Sequence, residues 1–204
     1  MITLYHAQYT RSLRVRWLLE ELGFEYEIER INFREKEHKG EAYMAVHPLG
    51  RMPAAVIDGL TMFESGAILQ HVLDKFGEGR LHPIAGTPES ATYLQWFHFG
   101  EATHQPYLSQ IAQHTALLPK EERVPAVVEA ARAGAAECLK LLDTHLSEHE
   151  YVAGNEFTAA DIMVIYPLVL SHLFGMLPSD DFPHLLKYYE RISERPAFQT
   201  ATAD

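Results

Sequence analysis

Three hydroxyls lie close together near the N-terminus, Tyr9, Thr10 and Ser12 of Ala7-Gln8-Tyr9-Thr10-Arg11-Ser12, just ahead of an amphipathic run. A hydroxyl where a helix begins can cap it. It can also donate to an anion held by the free N–H groups and the positive end of the helix dipole, and a thiolate is such an anion. A second segment, Gly50-Arg51-Met52-Pro53-Ala54, brings a proline to the start of a β-like run. Lacking an N–H, Pro53 either opens an edge strand in trans or sits in a cis Met52-Pro53 peptide that turns the Met52 backbone toward an extended ligand. The third is Phe63-Glu64-Ser65-Gly66-Ala67-Ile68, an acid and a hydroxyl at a helix start. They serve either as a cap or as an α-amino-acid site. In the second case the Ser65 N–H and hydroxyl hold a carboxylate and Glu64 the adjacent ammonium.

Other candidates have simpler readings. Thr158-x-x-Asp161 ahead of an apolar run is a capping box, each side chain worth on the order of 1 kcal/mol. His145 and His149, four apart on one helical face, have no third ligand nearby, so no metal site is expected among the 12 histidines. Tyr93, Trp96, Phe97, Phe99 and Tyr107 fit a core or interface, with part of the cluster available to a pocket wall. Glu101 and His104 are placed near a cleft or a subunit contact.

These segments need elements to hold them. Ile2–His6 and Tyr26–Ile31 are strand candidates around an amphipathic helix that runs from Leu13 and stops at Gly23, a βαβ unit with parallel strands. Runs at 54–57 and 60–63 flank Asp58-Gly59, the dipeptide of a two-residue hairpin. A helix over Ser65–Phe76 ends at Gly77. The Gly- and Pro-rich stretch that follows is a linker. Beyond it, 89–116, 124–147, 159–173 and 184–194 carry helical periodicity only. The expected division is 1–79, an α/β domain; 80–88, the linker; and 89–204, an all-α domain.

Composition closes off several functions. With 17 Lys and Arg against 28 Asp and Glu, the net charge of -11 disfavours nucleic acid and anionic membranes as partners. The longest apolar stretch, around 163–170, contains Pro167 and is short of the ~20 residues that span a bilayer. One cysteine, Cys138, and no visible secretory leader fit a cytoplasmic protein.

Four segments in register resemble the cytosolic glutathione transferase family: Pro48-Leu49-Gly50-Arg51-Met52-Pro53, Glu64-Ser65 ahead of Ala67-Ile68, the run from Tyr151 to Asp161, and the run from Phe182 to Arg191. The opening from Thr10 to Gly23 is similar to bacterial and fungal members with a Ser in the first turn. The resemblance implies a thioredoxin-like N-terminal domain that binds glutathione and a helical domain that supplies most of the pocket for a small apolar electrophile. It also implies a homodimer. By position, Pro53 is the cis proline, the Met52 backbone meets the cysteinyl part, and Glu64 and Ser65 hold the γ-glutamyl end. Arg51 and His38 approach the glycine carboxylate, and Ser12 joins the binding set. Relatives have Ser where this chain has Thr10, so the activating hydroxyl falls to Thr10, then Tyr9, then Tyr5. Thr keeps the donor but adds a methyl that restricts its rotamer. The implied activity is conjugation through the thiolate. Peroxidase, reductase or isomerase chemistry, or a non-catalytic binding module, are the alternatives. Disulfide exchange is disfavoured because no cysteine occupies 5–14.

Overall fold

The structure is a computed structural model that describes residues 1–177 and 180–203. It divides into two compact units, Met1–Leu81 with the chain end from Ser193 onward, and His82–Ile192. In the first unit, β1 (Ile2–His6), α1 (Ser12–Leu22) and β2 (Glu27–Arg30) form the expected strand–helix–strand, with Leu4 opposite Ile28 in a parallel pair. A 3-10 turn at Glu37–Lys39 and a short helix α2 (Glu41–Met44) come next, both too short for periodicity to reveal. The hairpin of β3 (Ala54–Ile57) and β4 (Leu60–Phe63) then leads into α3 (Ser65–Phe76). The sheet order is β2-β1-β3-β4, with only the β1–β2 pair parallel, a thioredoxin-like arrangement. Asp58 and Gly59 both have positive φ, 49° and 84°, as the hairpin turn that matches strand twist requires.

Alternation sorts the side chains of β1: Ile2, Leu4 and His6 are buried, Thr3 and Tyr5 half-buried. The core joins Ile2, Leu4 and Ile57 of the sheet to Val15, Leu18 and Leu19 of α1 and to Ile68, Leu69 and Val72 of α3. A smaller cluster of Ala7, Tyr43, Met52 and Ala54 gathers with Tyr5, Ile31 and Val46.

The second unit is helical. It contains α4 (Pro88–His98), a π-helical turn over Phe99–His104, α5 (Gln105–Ala112), α6 (Pro125–Leu146), α7 (Ala159–Leu173) and the start of α8 (Pro183–Ser193). Where the sequence pattern predicts one helix over 89–116, the structure inserts π-helical turns. The first packs against α7. Pro167 has no N–H to return to the Met163 carbonyl, and Gly100 lies against that carbonyl so closely that a Cβ there would come within 2.4 Å of it. Tyr93, Trp96, Phe97 and Tyr166 are buried core. Tyr107 fills the space left by Gly134, where a Cβ would fall 2.3 Å from its ring.

The Thr158–Asp161 capping box is formed and is larger than its motif. Asp161 also accepts from the Val152 N–H at 3.0 Å and the Tyr188 hydroxyl at 2.9 Å. His145 Nε2 is hydrogen-bonded with the Val152 carbonyl at 2.9 Å. Among the described residues no three His, Cys, Asp or Glu side chains converge as a metal site, and no helix is long and apolar enough to cross a membrane.

The chain end differs from the sequence division. The last helix, α9 (Pro196–Thr202), belongs with the first unit, because α1 offers it an aromatic ring and an acid. Phe198 meets Trp17 edge-on at 4.9 Å, and Arg195 pairs with both carboxylate oxygens of Glu21 at 2.7 Å. The two residues are 174 positions apart, a pairing that local patterning does not carry.

Candidate functional site

At the first turn, the hydroxyls form a closed network and do not simply cap α1. Thr10 Oγ1 donates to the Ala7 carbonyl at 2.7 Å and lies 2.7 Å from Ser12 Oγ. Ser12 Oγ lies 2.8 Å from His6 Nδ1. Thr10 Oγ1 also accepts from the Ser12 N–H at 3.3 Å, so a cap-like bond is one part of its role. Ser12 is fully buried, which places its hydroxyl behind Thr10. Tyr9 is 68% exposed and held at φ 57°, an uncommon conformation for a bulky residue. Tyr5 is half-buried with its ring 5.5 Å from that of Tyr43.

The second segment is stitched to the stretch before it. Met52-Pro53 is cis. The Tyr43 hydroxyl donates to the Arg51 carbonyl at 2.6 Å and contacts Met52 Sδ at 3.2 Å, while Lys39 Nζ reaches the Leu49 carbonyl at 2.8 Å. Burial raises the Tyr43 hydroxyl pKa, keeping it a neutral donor. Gly50 is the joint. It has φ 55°, and a Cβ there would fall 2.1 Å from the His38 carbonyl, so only glycine lets the two stretches touch. His38 stacks on Phe33 at 4.0 Å, and its pKa is lowered by burial and by Lys39 and Lys36. Arg51 is exposed.

The third segment discriminates best. Glu64, the residue before α3, makes no side-chain cap bond and is held at φ 73°. Ser65 is 3% exposed, and its oxygen accepts from Arg14 Nη1 at 3.1 Å. The ordinary capping role is therefore absent, and an uncommon backbone conformation exposes the Glu64 carboxylate beside the N-terminus of a 12-residue helix. Arg14, itself fully buried on α1, ties this helix start to the first turn. Sequence reasoning missed it, since an Arg within Leu13-Arg14-Val15-Arg16-Trp17 reads as solvated surface.

These geometries link all three segments within one unit: Ala7 with Met52 and Ala54, His38 with Gly50, and Arg14 with Ser65. Residues 1–74 match the glutathione S-transferase N-terminal domain and residues 100–196 the C-terminal domain. Glutathione S-transferase 3 of Schizosaccharomyces pombe is 31% identical, across 98% of this chain and 86% of its own. The chain belongs to the glutathione S-transferase family. Its glutathione transferase fold is shared with URE2P6 from Phanerochaete chrysosporium, solved in complex with oxidized glutathione, at TM-score 0.88 and 32% identity over 98% of this chain and 94% of that one. Protein URE2 of Saccharomyces bayanus, a relative whose name describes no enzyme, is 26% identical over 94% of this chain and 66% of its own.

Proposed function

We propose that this member of the family binds glutathione on its first unit and activates the thiol for attack on a small apolar electrophile. The observation that carries the reading is the start of α3, where Glu64 and Ser65 are presented without capping. The residues suit the tripeptide. The Ser65 oxygen is occupied by Arg14, so its proton is left to donate to the γ-glutamyl carboxylate, and Glu64 takes the ammonium. The Met52 backbone pairs with the cysteinyl part. Arg51 and His38 serve the glycine carboxylate, and the URE2P6 complex supports the ligand class.

A free thiol has a pKa of about 8.5 and is mostly protonated at neutral pH. Thr10, at the N-terminus of α1, turns its proton from the Ala7 carbonyl to the sulfur and stabilises the thiolate, with Tyr9 as second candidate. The thiol proton goes to solvent. The sulfur lone pair forms the S–C bond, and the electrophile's leaving group departs with its electron pair. Disulfide exchange on the protein's own thiol is disfavoured, since burial pushes Cys138 up to about 11. A homodimer, implied by the family, is tested by light scattering across a concentration series; monomer throughout removes it.

The relative named protein URE2 favours a second reading, a glutathione-binding module without turnover. Calorimetric titration with reduced glutathione, followed by initial rates with an activated aryl halide, separates the two. Binding lost in Glu64→Ala/Ser65→Ala, with turnover in the wild type, supports the transferase. Binding without turnover on any of several electrophile classes supports the module, and no binding at all removes both.

A further inference from the structure

We propose that His6 is a positioning residue for the Thr10 hydroxyl, acting through Ser12; this rests on the reading of Thr10 as donor to the glutathione sulfur. His6 takes the core-facing place after Ile2 and Leu4, where strand alternation asks for an apolar side chain, and it is 4% exposed. Its Nδ1 lies 2.8 Å from Ser12 Oγ, which lies 2.7 Å from Thr10 Oγ1. The Ala7 carbonyl closes the ring, 2.7 Å from Thr10 Oγ1 and 3.2 Å from Ser12 Oγ. Two backbone groups also donate into it, the Ala7 N–H to Ser12 Oγ and the Ser12 N–H to Thr10 Oγ1, each at 3.3 Å.

Each hydroxyl has one proton, so donor counting decides where Thr10 points. A bare Nδ1 accepts the Ser12 proton. Within this network the Ala7 carbonyl is then served by the Thr10 proton, and Thr10 is turned inward. An Nδ1–H instead donates to Ser12 Oγ, whose own proton then bridges the 2.7 Å contact to Thr10 Oγ1. Thr10, still accepting from the Ser12 N–H, is then released to donate to the sulfur. The Nδ1–H form of His6 is thus the one that leaves the Thr10 proton for the thiolate. His6 also lines an open cavity of ≈ 390 Å³, whose other walls include Gln8, Asn32 and the charged Arg30 and Glu37.

The test reads the pKa of bound glutathione from its thiolate absorbance, together with kcat and KM, in wild type, His6→Phe, His6→Asn, Thr10→Ala and the His6→Phe/Thr10→Ala double variant. Phe fills the ring's volume without Nδ1, whereas the Asn amide N–H stands near where Nδ1–H stood. His6→Phe is expected to raise the thiol pKa by about one unit and lower kcat roughly tenfold. KM for glutathione should stay within about twofold, as expected when ground-state binding is untouched. His6→Asn restores most of the loss, and in the Thr10→Ala background His6→Phe adds nothing. A folded His6→Phe with unchanged thiol pKa and kcat, beside a Thr10→Ala that moves both, overturns the inference and leaves the Thr10 reading standing. A Thr10→Ala that moves neither overturns both. If His6→Phe does not fold, His6→Leu removes the same Nδ1 and is judged by the same outcomes.

Discussion

Ser65→Ala removes a hydroxyl that is bonded to Arg14 and that we propose also binds glutathione, so two losses are expected. Inward, the Ser65 oxygen accepts from Arg14 Nη1 at 3.1 Å, and both residues are buried. Deleting an acceptor from a buried donor costs about 1–3 kcal/mol of stability, read in the urea midpoint. Outward, the hydroxyl proton is assigned to the ligand carboxylate, and a hydrogen bond to a charged group contributes about 1.5–3 kcal/mol. That corresponds to a Kd for glutathione roughly 10- to 150-fold weaker. Calorimetry reads the second effect at a temperature where the variant is fully folded, which keeps the two losses apart. Ser65→Thr, which retains the hydroxyl, should recover part of both. A variant that loses stability but binds glutathione as the wild type does would refute the reasoning, because Ser65 would then serve Arg14 alone.

Asp161→Ala should cost about 2–4 kcal/mol in urea unfolding, more than the ~1 kcal/mol of an ordinary cap, because several buried neutral donors lose their acceptor at about 1–3 kcal/mol for each one left unsatisfied. The carboxylate also serves Val152 and Tyr188; a loss near 1 kcal/mol would show those bonds to be idle. His104 is fully buried, and burial pushes its pKa down to about 4 from 6.5. The unfolded chain therefore binds the proton first, so this residue's contribution is complete above pH 6.5 and is lost as pH falls towards 4. The loss is roughly 3 kcal/mol, and His104→Leu should flatten the wild-type stability profile by that amount between pH 7 and 4; parallel profiles for the two proteins would contradict it.

The parts of the fold legible in the sequence were those written locally. Asp58-Gly59 names its turn and Thr158-x-x-Asp161 its cap, because each depends on residues within a few positions. The parts that were not legible depend on distance along the chain. Arg195 pairs with Glu21, and Arg14 reaches Ser65, yet each reads locally as a surface charge. The candidate site was legible as three segments, but not in how they work. Nothing local distinguished a capping Ser65 from one held by Arg14, or set Ser12 behind Thr10. One signal was available in hindsight: His6 breaks the apolar alternation of β1, and a polar side chain at a core position needs a partner.

The measurement that bears most directly on the central claim is a pH titration of the thiolate absorbance of glutathione bound to the wild-type protein, repeated on Thr10→Ala. The account predicts a bound thiol pKa at least about one unit below the free value of ~8.5, returning toward that value when Thr10 is removed. A bound thiol that titrates near the free value in both proteins would contradict activation at the first turn.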